Sequence, residues 1–412
     1  MALYFVNYLD RTNLGIAKAQ VSADLQLSAT MFGLASGIFF IGYVLVEVPS
    51  NLALVRFGAR RWLARIAVSW GIVAMAIGFA PNAHTLLALR FLLGVAEAGL
   101  FPGVVFYLSR WFPAAYRARV VGVFMLAIPI ASAVGTPLAA WLIQAGHGVF
   151  GLSGWRFMMI CVGLPAVLLG VICWFWLTDS PADAHWLTAE QRTWLTGVLA
   201  DEERDVSTRY RFPLRRTLTS PRTWALAVVY FGIAYGLYAL AFFLPSIIAG
   251  FKKMFGLQLS LIQVGMITAI PYTFAAVAMF FWSRHADRTR EHVWHVATPL
   301  ALGGVAIPVA LYLHNPIAVM VPVTIAAIGI FCALPVFWAL PTRFLAGTAA
   351  AGGIGLINSV GNLGGFAAPY ITGALADLTG SNKAGMWAVG IIMLLCAGLV
   401  VALRAAPTSD TG

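Results

Sequence analysis

The chain has 412 residues, of which 61% are hydrophobic and only 10% charged, with a mean hydropathy of +0.86. Soluble domains carry roughly 25% charged residues, so this composition excludes a water-covered globular protein and points to a surface facing lipid. The net charge of +11 would suit a nucleic-acid binder, but Lys and Arg fall in short loops between apolar runs, the positive-inside pattern.

A helix needs about 20 apolar residues to cross a bilayer. Such runs occupy 1–20, 30–55, 61–81, 84–109, 117–145 and 152–178, then 222–250, 257–283, 293–313, 316–340, 345–376 and 384–404. The expected fold is an all-α membrane protein with twelve transmembrane helices in two six-helix bundles. The bundles span 1–178 and 222–404, with a polar linker at 179–221 and a tail at 405–412. Within the linker, WLTAEQRTWLTGVLADEE reads as a surface helix opened by a Thr188/Gln191 capping box. Nineteen Lys and Arg residues, Arg343 among them, fall on one side and five on the other. That bias expects both termini in the cytoplasm of a bacterium with this protein in its inner membrane. RFGARR at 56–61 follows span two, and SRHADRTRE at 283–291 follows span eight. A basic turn at the same place in each half signals an internal repeat.

Charges in mid-span are costly, roughly 2.5–3.5 kcal/mol each, and are functional candidates by default. They lie in the first half: Asp10 and Arg11 in span one, Glu47 in span two, Arg90 and Glu97 in span four. The second half offers Tyr235, Tyr238, Tyr272, Asn358 and Asn362 instead. From the helical rise, Asp10 and Glu97 sit near mid-membrane. Arg90 lies seven residues before Glu97, on the same face. Asp10 and Arg11 point about 100° apart, so Asp10 can pair with Arg90 and leave Arg11 for an anion. A carboxylate shielded from water can take up a proton near neutral pH, and an Arg fork matches a carboxylate's two oxygens. The bland alternative is a buried ion pair that only joins helices. Glu47 reads as a gate contact or a proton site. Asn358 and Asn362, one turn apart, read as interhelical hydrogen bonds or substrate contacts. Tyr8 and Tyr43 read as cavity walls. Cys161, Cys173, Cys332 and Cys396 sit singly in apolar runs with no metal-ligand spacing. No phosphate loop is present, so no metal, cofactor or ATP drive is expected.

The chain resembles the major facilitator superfamily, through RFGARR after span two and LRFLLG around Arg90. More narrowly, YFVNYLDRTNLGIA, GYVLVEVPSNLAL, LRFLLGVAEAGLFPG, WFPAAYRAR, FWALPTRFLAG and GIGLINSVGNLGG resemble the anion:cation symporter family. The resemblance implies proton-coupled symport of a small organic anion, such as a sugar acid, dicarboxylate or aromatic acid. It matches Asp10 and Glu97 to proton-handling carboxylates, and Arg11 and Arg90 to the helix-1 and helix-4 arginines. Tyr8, Tyr43 and Asn358 or Asn362 fall among substrate contacts. Glu47, Arg56, Arg60, Arg110, Asp287 and Arg288 are the expected gating residues. Partners would be the anion, protons and lipid, with a monomer expected and no nucleic acid. Two departures stand out. Val55 occupies the place of the acid that precedes the first Arg of the superfamily loop motif. Only nine residues precede Asp10, about 14 Å of helix, so span one barely reaches the cytoplasmic surface if Met1 is the native start. The rival readings are an efflux antiporter of the same fold, a transporter-like receptor, and a membrane enzyme. AIPIASAVGTPLAA in span five departs from the GPxxGG of efflux antiporters, and no nucleophile or metal cluster supports an enzyme.

Overall fold

In hydrocarbon every backbone N–H and C=O must be bonded within its own segment, and the chain meets that demand with helices. The computed structural model describes residues 1–209, 219–341 and 347–405, with no strand among them. Arg211, Arg215, Arg216, Arg343 and the tail beyond Ala405 lie outside the described residues. The first half comprises α1 (Ala2–Asp24), α2 (Ala29–Phe57), α3 (Ala59–Ile77), α4 (Ala83–Glu97), α5 (Leu100–Ser109), α6 (Ala114–Met125), α7 (Ala127–Ala145) and α8 (Gly154–Trp176). The linker holds α9 (Ala189–Arg209). The second half comprises α10 (Pro221–Ala249), α11 (Phe251–Phe255), α12 (Leu261–Thr289), α13 (Val293–Ala310), α14 (Pro316–Phe337), α15 (Gly347–Thr379) and α16 (Lys383–Ala405).

Nine segments among the described residues have the length and hydropathy of a membrane span, with α4–α5 and most of α6–α7 each forming one. Three further helices are long enough but more polar. α1 carries Asp10, Arg11 and Lys18, α3 carries Arg60, Arg61 and Arg65, and α15 carries Asn358, Asn362 and Asp377. The outward surfaces are strongly apolar, with Trp176, Phe175, Leu395 and Leu52 all more than half exposed. Asp10 and Arg11 of α1, Glu47 of α2, and Arg90 and Glu97 of α4 are buried, so the usual inside-out order of a soluble protein is inverted.

Span four is interrupted where the sequence reads AEAGLFPG. Gly99 adopts φ +86°, a left-handed conformation that only glycine takes without strain. Pro102, three residues on, has no N–H for the helix ladder. The Ala98 carbonyl freed there accepts from Ser50 Oγ at 2.6 Å, and Ser50 in turn accepts from Trp62 Nε1 at 3.0 Å. The break leaves Glu97 as the last residue of α4.

The halves meet where α2 packs on α15, α7 on α12 and α1 on α10. One end is closed. Asp377 of α15 accepts from the backbone N–H of Ala29 at 3.1 Å and of Thr30 at 2.7 Å, and from Thr30 Oγ1 at 2.5 Å, so the second half caps the start of α2. Gly33 lies so close to the Pro369 carbonyl that any Cβ there would collide. Lys18 lies between the rings of Phe32 and Phe243, with its Nζ 5.2 and 4.3 Å from their centroids.

The other end carries the basic turns. The turn after α2 passes through Gly58 at φ +86° and the turn after α12 through Arg290 at φ +55°, so both copies of the repeat end a helix at a residue of positive φ, Arg290 in the left-handed helical region and Gly58 outside it. At the first, Asp179 Oδ1 accepts from the Arg60 backbone N–H at 2.7 Å and supplies an acid to a turn whose own sequence has Val55. The linker joins this basic end through the Arg117–Glu202 ion pair at 3.3 Å and the stacked rings of Trp111 and Trp186. The capping box forms: Gln191 N–H donates to Thr188 Oγ1 and Thr188 N–H to Gln191 Oε1. Between the halves at this end lies an open cavity of about 460 Å³, with Glu47, Asn51, Phe101, Trp338, Asn358 and Ser359 in its walls.

The Asp377 cap gives a test of the closed end. Asp377→Ala removes all three bonds to α2. A cysteine at Phe366, reacted with a membrane-impermeant maleimide, should label several-fold faster in that background than with Asp377 intact. An unchanged labelling rate would show that the cap does not hold this end shut.

Candidate functional site

Span one places two different stripes on α1. Tyr4, Tyr8 and Arg11, spaced four and three residues apart, share the face toward α10. Asp10 lies about 100° around the helix from Arg11 and belongs to the first half's interior. Both are buried, at 7% exposure for Arg11 and 4% for Asp10.

Arg11 is the centre of the site. Its Nε donates to Glu97 Oε1 at 2.5 Å, and its Nη2 forms an ion pair with the same oxygen. Its Nη1 donates to the Tyr238 hydroxyl of α10 at 2.9 Å, a bond that crosses between the halves. The guanidinium carbon stands 5.2 Å from the Tyr8 ring centroid, 5.1 Å from Phe39 and 5.2 Å from Tyr43. An aromatic box of this kind suits a flat, weakly hydrated cation. Glu97 is fully buried, and its second oxygen has no hydrogen-bond partner.

This pairing differs from the sequence expectation. Asp10 is not ion-paired with Arg90, and Arg11 is not free. Arg90 instead donates from Nε to the Ala35 carbonyl at 3.1 Å and from Nη2 to the Ser36 carbonyl at 3.2 Å. It thereby fastens α4 to α2, with Phe39 between it and Arg11. Heptad spacing put Arg90 and Glu97 on one face. It carried no information on which neighbouring helix each would meet.

The other expected residues fall into three groups. Tyr8 and Tyr43 join Arg11. Asn362 donates to the Asn358 carbonyl at 3.0 Å and, with Tyr4, Tyr8, Tyr230 and Tyr238, walls a central space of only about 20 Å³. That volume holds about one water and no carboxylate, so a ligand must part the tyrosines. Asn358 makes no hydrogen bond to Arg11. It donates from Nδ2 to Glu47 Oε1, and Ser359 Oγ donates to Glu47 Oε2 at 3.1 Å, so a buried acid of α2 ties itself to α15 across the halves. Arg56, Arg110, Asp287 and Arg288 are exposed. The hydrogen bond of Arg60 is the backbone one to Asp179 at the start of the linker, so no described bond of these five reaches between the halves. Tyr230, Tyr4, Phe39 and Ser359 are site residues that sequence reasoning did not single out. Position one helical turn from a singled-out residue marks two of them, Tyr4 from Tyr8 and Phe39 from Tyr43; Ser359 adjoins Asn358, and Tyr230 has no such mark.

No group of three or more His, Cys, Asp or Glu among the described residues is placed to hold a metal. The chemistry available is ionic binding, hydrogen bonding and proton exchange in a dry, two-sided cleft. Two helical halves around a buried charged site, closed at one end and open at the other, define a membrane transporter. The family model described as Major Facilitator Superfamily matches residues 1–369 and 256–411. The chain is 45% identical over 408 residues to a protein of Agrobacterium vitis named "Putative tartrate transporter", covering 99% of this chain and 89% of that one. It is 40% identical over 400 residues to a protein of Acinetobacter baumannii named "Quinolone resistance transporter", covering 97% and 90%. A solved structure of a bacterial homologue of the human lysosomal transporter Spinster, inward-facing and occupied, aligns with a TM-score of 0.74 at 16% identity, covering 99% of this chain and 96% of that one. The chain belongs to the major facilitator superfamily, and it is a multi-pass membrane transporter rather than an enzyme.

The ion pair makes a stability prediction. Removing one partner of a buried pair leaves an unpaired charge and costs about 3–5 kcal/mol. Glu97→Leu should therefore lower the melting temperature in detergent sharply. The double variant Arg11→Leu/Glu97→Leu should recover most of that loss, because both charges are gone. A double variant no more stable than the single one would show that the pair is not the dominant contact of either residue.

Proposed function

We propose that this transporter moves a small organic anion, of the hydroxylated dicarboxylate class to which tartrate belongs, together with protons by alternating access. The observation that carries this reading is the single anion held by Arg11. A guanidinium this deeply buried needs a negative partner, and at present Glu97 is that partner. When Glu97 takes a proton, Arg11 becomes available to a substrate carboxylate. When the substrate leaves, Glu97 must release its proton to satisfy Arg11 again. Proton and anion thus enter and leave the site together. Tyr8, Tyr43 and Tyr238 surround the guanidinium with hydroxyls and ring faces suited to a hydroxylated acid. Asp10, buried in the same half, is the second proton-handling carboxylate.

The positive-inside bias places the basic end, both termini and the 460 Å³ cavity on the cytoplasmic side of a bacterial inner membrane. In this arrangement the cap of Asp377 on α2 closes the outer side, and the Glu47 contacts to Asn358 and Ser359 form the floor of the inner cavity. Outward opening requires the first to break and the halves to close over the second, by rocking about the α2–α15 and α7–α12 seams. The protein acts as a monomer in this scheme, because each element of the site comes from one chain. A second reading, outward drug transport, is favoured by the relative named for quinolone resistance. The same carboxylate-for-carboxylate exchange at Arg11 would serve an acidic drug.

Proteoliposomes separate these readings. With an inward proton gradient, wild type should accumulate tartrate several-fold over the gradient-free control, and Glu97→Gln should lose accumulation while still exchanging tartrate across the membrane. Accumulation indifferent to the gradient contradicts proton symport. Lowered quinolone susceptibility of expressing cells, with no tartrate uptake, favours the efflux reading instead.

A further inference from the structure

α1 buries polar groups that the substrate site does not use. Asn7 is fully buried and Asn13 is 2% exposed, yet neither the Nδ2 nor the Oδ1 of either side chain has a hydrogen-bond partner. Asp10 Oδ2 is also unpartnered, as are Glu97 Oε2 of α4 and Trp70 Nε1 of α3, whose indole faces Asp10. Buried polar atoms are almost always bonded, to protein or to ordered water. Leaving a whole amide unbonded is costly, and two such amides flanking a carboxylate on one helix call for a common explanation.

Their spacing supplies one. Asn7, Asp10 and Asn13 recur every third residue, a rise of about 4.5 Å per step. Two hydrogen bonds of about 2.8 Å through one water span such a step. The stripe winds about 120° around α1: Asp10 and Asn13 lie off the face on which Tyr4, Tyr8 and Arg11 meet α10, and Asn7, three residues from Tyr4 and four from Arg11, lies at its edge. The charged groups acting on Asp10 are Glu97 and Arg90 of α4 and Arg11 of its own helix. No Lys or Arg bonds to its unpartnered oxygen.

We propose that Asn7, Asp10 and Asn13 hold a file of ordered waters through the first half, and that this file carries protons to and from Asp10. The proposal rests on the proton-coupled reading above and adds the route. Each amide accepts from one water through Oδ1 and donates to another through Nδ2, which keeps the file oriented without ionising. When Asp10 takes a proton, its Oδ2 gains the hydrogen of the adjacent water, which gains one from the next. The waters end unchanged and one proton has moved.

The test uses full-length protein in proteoliposomes. Asn7→Leu and Asn13→Leu keep the number and branching of side-chain heavy atoms and cannot hold water, while Asn7→Ser and Asn13→Ser can. Each variant is measured for tartrate accumulation driven by an inward proton gradient, for tartrate counterflow at equal pH, and for melting temperature. The leucine variants should melt at or above the wild-type temperature, since no orphaned amide remains. They should keep counterflow, while their initial rate of gradient-driven uptake falls about a hundredfold, the low end of what a positioned proton-transfer group contributes, and accumulation falls to the gradient-free level. The serine variants should keep both. Wild-type accumulation in both leucine variants would overturn the proposal. Equal loss of counterflow and accumulation would also overturn it, by assigning the asparagines to the anion or to the fold. A wild type that ignores the gradient refutes the proton-coupled reading itself and is seen without any variant.

Discussion

A guanidinium in the middle of a membrane protein needs an anion beside it, and that need organises this molecule. Arg11 takes Glu97 as its partner through Nε and Nη2. Around that pair the other features fall into place. The aromatic walls of Tyr8, Phe39 and Tyr43 shield the charge. The Tyr238 hydroxyl ties it to the second half. The interruption of span four at Gly99 leaves Glu97 at the end of α4, where backbone freed from the helix ladder is held by Ser50. A helix end is easier to shift than a helix middle, and the acid that changes partners in the proposed mechanism sits on one.

The same constraint relates the site to the two ends of the molecule. In the proposed mechanism substrate, proton and conformational change are connected because the groups assigned to each lie on the same helices. α1 carries Arg11 in the centre and Lys18 toward the closed end. α2 carries Tyr43 beside Arg11, the capped N-terminus at one end and Glu47 at the other. α15 supplies both Asp377 and the Asn358–Ser359 pair. A movement of α2 against α15 therefore alters both closures at once, which is the geometric content of alternating access.

Much of this was legible in the sequence, for a physical reason. Hydrocarbon tolerates few charges, so each of Asp10, Arg11, Glu47, Arg90 and Glu97 stands out against its apolar background, and run length sets the spans. The linker helix was legible from Thr188 and Gln191, because a capping box is a local device. Partnership was not legible. Arg90 and Glu97 share a face by spacing, but Arg90 meets the carbonyls of α2 and Glu97 meets α1, and only packing decides that. The break at Ala98–Gly99 had a local signal, Gly99 with Pro102 three residues later, inside a run whose hydropathy reads as continuous helix. Asp179 in place of the missing loop acid was invisible, since the two parts of that turn lie more than a hundred residues apart in the chain.

The central claim is that Arg11 holds Glu97 or a substrate carboxylate, never both in ionised form. Proton uptake on binding tests it most directly. Tartrate added to purified protein in weakly buffered solution should draw protons from the medium, read by a pH dye, and Glu97→Gln should draw at least one proton fewer per protein. Tartrate binding with no proton uptake by wild type, or with equal uptake by the variant, would contradict the account.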